Sequence, residues 1–233
     1  MTLPALADLL ALAFFALAWA LYAHHAAGRH GDRPSLLHAT HHHRREWMLR
    51  MLERDNRIVD SALIGNLMRS VSFFASTTMI VIGGVLAMLG ATDRLIELSA
   101  DLPFVAPASR ELWELKVLLL GAIFVYAFFK FTWSLRQFNY SSILMGAAPA
   151  AGDLHDAAQK FRYADRLAHL NSMAGDQFNR GLRAYYFGLA VLTWFIHPWL
   201  FMLMTAATVV VLYRREFSSS TLHALAVDGH DEA

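Results

Sequence analysis

Twelve histidines occur in the 233 residues, and His38, His41, His42 and His43 fall within one short stretch, with His24 and His25 upstream. On a helix His38 shares a face with His41 or His42 at i+3 or i+4, a geometry that suits zinc, nickel or copper. Adjacent histidines nevertheless point about 100° apart on a helix, and no acidic ligand accompanies the run. A solvated basic segment is the simpler reading, and no metal is assigned. His197 differs, because it lies in an apolar stretch and is followed by Pro198. A proline frees a backbone carbonyl, and an ionisable residue inside a membrane is a functional candidate by default. The simpler reading is a histidine hydrogen-bonded inside the bundle or to that opened backbone. No second histidine lies at equal depth for a haem, and no cofactor is expected.

Guanidinium, amide and hydroxyl groups form the broader pattern. Asn66, Arg69, Ser70, Ser72, Ser76, Lys130, Arg136, Gln137, Asn139, Arg180 and Arg183 cluster near the ends of three apolar runs. Such donors suit phosphate or carboxylate, bidentately where arginine is used. Ordinary anchoring to anionic lipid is the rival, worth about 1 kcal/mol per basic residue near the surface. The candidate ligand-binding set is Arg57, Asp60, Asn66, Arg69, Ser72, Lys130, Arg136, Gln137, Asn139, Arg183 and His197. Asp60 with Arg57, and Asp165 with His169, are the pairings that could serve an enzyme, and both are more simply ion pairs on a helix surface. There is no phosphate-cradling glycine loop, HExxH or nucleophile elbow, and no cysteine, so no catalytic residue is assigned.

The elements that must carry these residues are apolar helices. Hydrophobic residues make up 56% of the chain and charged ones 17%, with a mean hydropathy of +0.36. Long runs at 3–23, 67–89, 112–133 and 184–213 each approach or exceed the roughly 20 residues that cross the hydrocarbon core. The third contains Glu114, Lys116 and Lys130; its two lysines are about 21 Å apart along a helix, so each can reach an opposite interface. The expected fold is therefore all-α: an integral membrane helical bundle with four transmembrane helices and two cytoplasmic amphipathic helices, at about 42–66 and 154–182. A loop near Gly31–Pro34, a linker at 147–152 and a disordered tail from about 218 complete a single membrane domain, 1–233.

Charge gives the orientation. Eight of the 20 basic residues fall between Ala23 and Val71 and seven between Lys130 and Arg183, which places those connections in the cytoplasm and the N-terminus outside. Arg214 and Arg215, just past the fourth run, point the other way. The opening residues lack the positive region of a signal peptide, so the first run is expected to be a retained span.

Three blocks, RREWMLRMLERDNRIVDSALIGNLMRSVSFFASTT, KFTWSLRQFNYSSILMGAAP and NRGLRAYYFGLAVLTWFIHPW, together resemble the membrane family called domain of unknown function 599. The resemblance implies a multi-pass membrane protein of bacteria or plants, without an assigned activity. It singles out Trp47, Arg57, Asp60, Ser72, Ser76, Arg136, Gln137, Asn139, Tyr140, Asn179, Gly181, Arg183, Tyr185, Tyr186 and Pro198. The histidine run lies outside that pattern.

Two functions fit these features. The first is an inner-membrane bundle that binds or conducts a small anionic or polar solute through a cytoplasm-facing basic vestibule, as a homo-oligomer because one four-helix bundle rarely encloses a pore. The alternative is a non-transporting scaffold or lipid-binding accessory protein that docks partners through its cytoplasmic helices. Membrane lipid is an expected partner in either case, and nucleic acid is not. Lipid-modifying catalysis would need an open pocket at Asp60 or His197.

Overall fold

A computed structural model describes residues 3–27, 35–100, 104–153 and 156–225. The loop expected at Gly31–Pro34 and the tail from 226 onward lie outside them. The regular structure among the described residues is all helical, without strands: α1 (Leu3–Ala27), α2 (Leu36–Leu52), α3 (Ile58–Gly90), α4 (Thr92–Ala100), α5 (Arg110–Gly146), α6 (Ala157–Leu192), a 3₁₀ turn (Thr193–Phe195), α7 (Pro198–Phe217) and α8 (Ser220–Leu225). Their starts follow from short polar side chains that accept otherwise orphaned backbone N–H groups. Ser35 accepts from His38 N at 3.2 Å, Asn56 from Ile58 N at 2.9 Å and Asp156 from Ala158 N at 2.9 Å.

Three helices are long and apolar enough to cross a membrane, at Leu6–Ala26, Ile58–Gly90 and Arg110–Gly146. The chain divides into two compact units. Unit 1 comprises Met1–Asp32, Thr77–Phe128 and Leu182–Arg214; unit 2 comprises Arg33–Ser76, Phe129–Gly181 and Arg215–Ala233.

Inside unit 1, α1 packs on the end of α6 and on α7 through aromatic rings. Along α1, Phe15 and Trp19 meet Phe187 at 5.7 and 4.9 Å, and Arg183 lies over Tyr22 at 5.5 Å. As α1 advances, its partners in α6 therefore run backwards. Its partners in α7 run forwards: Phe15 meets Phe201 at 5.1 Å and His25 meets Tyr213 at 5.9 Å. So α6 enters this unit, the chain reverses at 193–197, and α7 returns. The single run expected at 184–213 is thus an antiparallel pair.

The outward side of unit 1 remains apolar, with Leu21 67% and Ile80 76% exposed, around a packed interior that includes Phe187 and Trp194. A hydrophobic exterior over a packed interior is what a lipid solvent permits and water does not.

Unit 2 contains a methionine-rich core of Met48, Met51, Leu52, Ile64, Met145, Ala164, Leu167 and Ala168. The helix expected at 42–66 is broken here, because α2 ends at Leu52 and α3 begins at Ile58. Two glycines of α6 admit close neighbours. A Cβ on Gly181 would collide with the Phe131 ring, and one on Gly175 would lie 2.5 Å from the Arg44 guanidinium. The residues from 218, expected as disordered, begin instead with α8, and both α8 and the end of α7 are tied to α2. Glu216 accepts from Leu37 N at 3.1 Å, and His43 Nε2 bonds the Leu225 carbonyl at 3.0 Å.

Candidate functional site

The basic end of α5 carries a groove of about 430 Å³ in unit 2, open on one side and lined by Phe129, Lys130, Thr132, Trp133, Arg136 and Gln177. The spacing of the α5 residues explains the lining, since positions 129, 132, 133 and 136 fall on one helical face. Arg136 is held by its neighbour one turn on: Nε donates to the Tyr140 hydroxyl at 2.7 Å, and the guanidinium carbon lies 5.9 Å from that ring. This bond uses one nitrogen and leaves the two terminal nitrogens as a fork. Gln177 contributes a buried Oε1 without a protein partner. Arg180 adds positive potential at Lys130. No lining residue is acidic, and neither Arg136 nor Arg180 has an acidic partner among the described residues.

Of the sequence candidates, Lys130 and Arg136 meet in this groove. Gln137, next along α5, faces inward instead. With its amide nitrogen toward the Met173 carbonyl and its oxygen toward Trp133 Nε1, it makes both bonds at 3.2 Å, and so it orients a groove wall without lining the groove. Asn139 is exposed on the same helix, outside the lining. Asn66 accepts from Arg69 on an exposed face of α3, and Ser72, farther along, is half-buried.

Arg57 and Asp60 make a joint. Asp60 is wholly buried and accepts from Trp47 Nε1 at 2.7 Å and Arg54 Nη1 at 2.5 Å. Arg57 donates to the carbonyls of Ala148 and Pro149 at 3.0 and 2.5 Å. These bonds fasten the break between α2 and α3 to the loop after α5. Trp47 thus serves as a strut for the buried Asp60. Of the histidine run, His38 and His42 are exposed, whereas two members are tied into packing, His43 of α2 to the Leu225 carbonyl and His41 Nε2 to Asp176 at 2.9 Å. Arg44 lies beside them. Burial lowers the pKa of its guanidinium, with Asp176 opposing the shift. No group of three or more possible metal ligands occurs among the described residues.

The remaining candidates, Arg183 and His197, belong to unit 1. His197 starts α7, its Nδ1 accepting from Trp199 N at 3.3 Å. The break it adjoins contains a cluster absent from the sequence candidates. In an unbroken helix the Trp194 carbonyl would accept from the backbone nitrogen of residue 198, but proline has no hydrogen there. Lys116 Nζ donates to that carbonyl instead, at 2.9 Å. Lys116 also pairs with Asp8 at 3.7 Å, and Asp8 accepts from Trp194 Nε1 at 2.6 Å. All three residues are buried. Ala106 N completes the turn by donating to the Ile196 carbonyl at 2.9 Å. A sequence signal did exist: Asp8 and Lys116 are opposite charges in apolar runs, and Pro198 stands four residues after Trp194.

Three long apolar helices and an apolar exterior on unit 1 suggest a membrane protein. The chain belongs to the family described as Protein of unknown function, DUF599, which matches residues 10–221. No curated protein and no solved structure matches the chain.

Proposed function

We propose that the protein is an inner-membrane protein that binds an anionic group in the groove of Lys130, Arg136 and Gln177 on its basic side. The observation that carries this reading is a groove with two cationic side chains, a third cation nearby and no acidic lining residue. An arginine fork held in place by Tyr140 favours a planar or tetrahedral oxyanion, which accepts two parallel N–H bonds.

The topology that accompanies this reading has three spans, α1, α3 and α5, and a hairpin made by the end of α6 and α7. The hairpin enters from the basic side and returns to it. The orientation is then free of the conflict posed by Arg214 and Arg215, because a returning α7 delivers both to the side of the other basic connections. Fourteen of the 20 basic residues belong to unit 2 or are assigned to its segments. A groove at the membrane surface works in one copy of the chain, so binding does not require the homo-oligomer expected of a pore.

The test is anion binding to purified protein in nanodiscs, read with both inorganic phosphate and anionic phospholipid. Wild type is expected to bind at least one, and Lys130→Ala/Arg136→Ala to lose it while inserting normally. Equal binding by wild type and variant, in both assays, would sink the proposal.

A further inference from the structure

We infer that the anion is the phosphate of an anionic membrane phospholipid, whose glycerol and acyl portions lie along an exposed stripe of α5. This rests on the reading of the groove as an anion site and names its ligand. Three observations lead there.

The first is length. The 37 residues of α5 extend about 55 Å at 1.5 Å per residue, whereas the hydrocarbon core is about 30 Å thick. Roughly 25 Å of this helix must therefore lie in the headgroup region or beyond. The charged groups of the groove, Lys130 and Arg136, stand 20 and 26 positions after Arg110. That is where a span of about 20 residues meets the headgroups.

The second is the stripe itself. Phe129, Trp133, Tyr140 and Ile143 are all exposed, at 64%, 47%, 41% and 68%, and share one face of α5 with Arg136 between them. Aromatic residues with a polar edge settle at the headgroup level, and an apolar side chain in contact with lipid costs nothing there. A guanidinium set among such groups offers a phosphate a charged contact while acyl chains cover Phe129 and Trp133, on its hydrocarbon side.

The third is openness. Sites for free small molecules bury most of the ligand surface, but this groove is open on one side. A ligand with the rest of its surface already solvated by the bilayer needs no enclosure. A free phosphate would keep most of its hydration shell and gain little.

The experiment uses the full chain in nanodiscs, one set of phosphatidylcholine alone and one with phosphatidylglycerol, with lipids retained on the protein counted by native mass spectrometry. Phosphatidylglycerol should be retained in preference to phosphatidylcholine. Lys130→Ala/Arg136→Ala should weaken that preference about 30-fold, corresponding to about 1 kcal/mol for each charge. Arg136→Lys keeps the charge without the fork and should lose part of it. Arg214→Ala/Arg215→Ala removes two charges outside the groove and should change it little; an equal loss there would mean diffuse attraction and overturn the inference. Soluble glycerol phosphate and inorganic phosphate form the other arm. Should they bind with the same dependence on Arg136 while lipid preference is unchanged, the anion site stands and its lipid identity falls. If neither lipid nor soluble anion responds to the groove variants, both fall.

Discussion

Unit 1 and unit 2 both bury charge, yet they treat the leftovers differently. In unit 1 the carbonyl stranded by Pro198 is answered by Lys116, and Asp8 is shared between Lys116 and the Trp194 indole. In unit 2, Arg44, Arg57, Asp60, Ser141, Asn171 and Gln177 each retain at least one buried polar atom without a protein partner, whereas unit 1 has only Thr205 among the described residues. Lipid supplies no hydrogen bonds, so a unit bounded by it must satisfy its polar groups internally. On the proposed topology the polar groups that lie beyond the headgroups can be answered by water, and an incomplete network is tolerable there. Burial alone therefore does not mark a site. The closed cluster at Lys116 holds a helix break, while the open-sided groove at Arg136 has unused donors.

The largest expected effect breaks the closed cluster. Lys116→Met leaves Asp8 buried without its cation and strands the Trp194 carbonyl, and loss of one partner of a buried pair costs about 3–5 kcal/mol. Thermal unfolding in detergent should show the loss. Adding Pro198→Ala restores a backbone N–H four residues after Trp194, and the double variant should recover part of the stability. No recovery would mean that Lys116 acts only through Asp8.

Next come the two glycines, which ask whether unit 2 is as tightly packed as its core suggests. Gly181→Ala places a methyl group against the fully buried Phe131 ring, an overpacking that costs about 1–3 kcal/mol. Gly175→Ala meets the far end of the flexible Arg44 side chain and should cost less, because the guanidinium can move toward solvent. If both variants unfold at the same denaturant concentration, the difference in packing assigned to these positions is wrong.

How far the sequence reveals this structure depends on how local each cause is. The apolar runs behind α1, α3 and α5 are local, and they match the three long apolar helices. The family resemblance, carried by contiguous blocks, is confirmed across 10–221. The reversal at 193–197 was concealed because hydropathy does not register direction: 184–213 reads as one uncharged run whether the chain continues or turns back. Pro198 marks the break, yet its consequence depends on Lys116, 78 positions away. The break at 53–57 was hidden by helical spacing that continues through it. Lys130 and Arg136 were legible as basic residues near a helix end. Gln177 was not, because its place in the groove depends on how α6 packs beside α5. Arg57 and Asp60 were legible as important, and their partners in the Ala148–Pro149 loop could not be read from a local pattern.

A smaller effect sharpens the role of the joint. Trp47→Phe keeps most of the ring and removes one hydrogen bond to Asp60, a bond to a charged group worth about 1.5–3 kcal/mol at most, with part recovered through Arg54. A modest fall in melting temperature with unchanged lipid retention is expected. Lost lipid preference in a stably folded Trp47→Phe would instead tie the joint to the groove.

The smallest effect lies on the exposed edge of unit 2, where Glu53 pairs with Lys160 at 2.5 Å. The hydrogen bond from Lys160 and its charge hold the Glu53 carboxyl below its usual pKa of 4.5, with Arg50 assisting. A carboxyl whose folded value is depressed contributes stability above its unfolded pKa and loses it as pH falls through the folded value. At neutral pH, Glu53→Gln should therefore melt slightly below wild type. As pH falls below the depressed folded value the two curves should converge, because the wild-type carboxyl becomes neutral as well. The pair is exposed and screened by salt, so raising ionic strength at pH 7 should also narrow the gap. A melting difference that persists at low pH and in high salt would place the role of Glu53 in the turn after α2, where its backbone N–H bonds the Arg50 carbonyl, rather than in its charge.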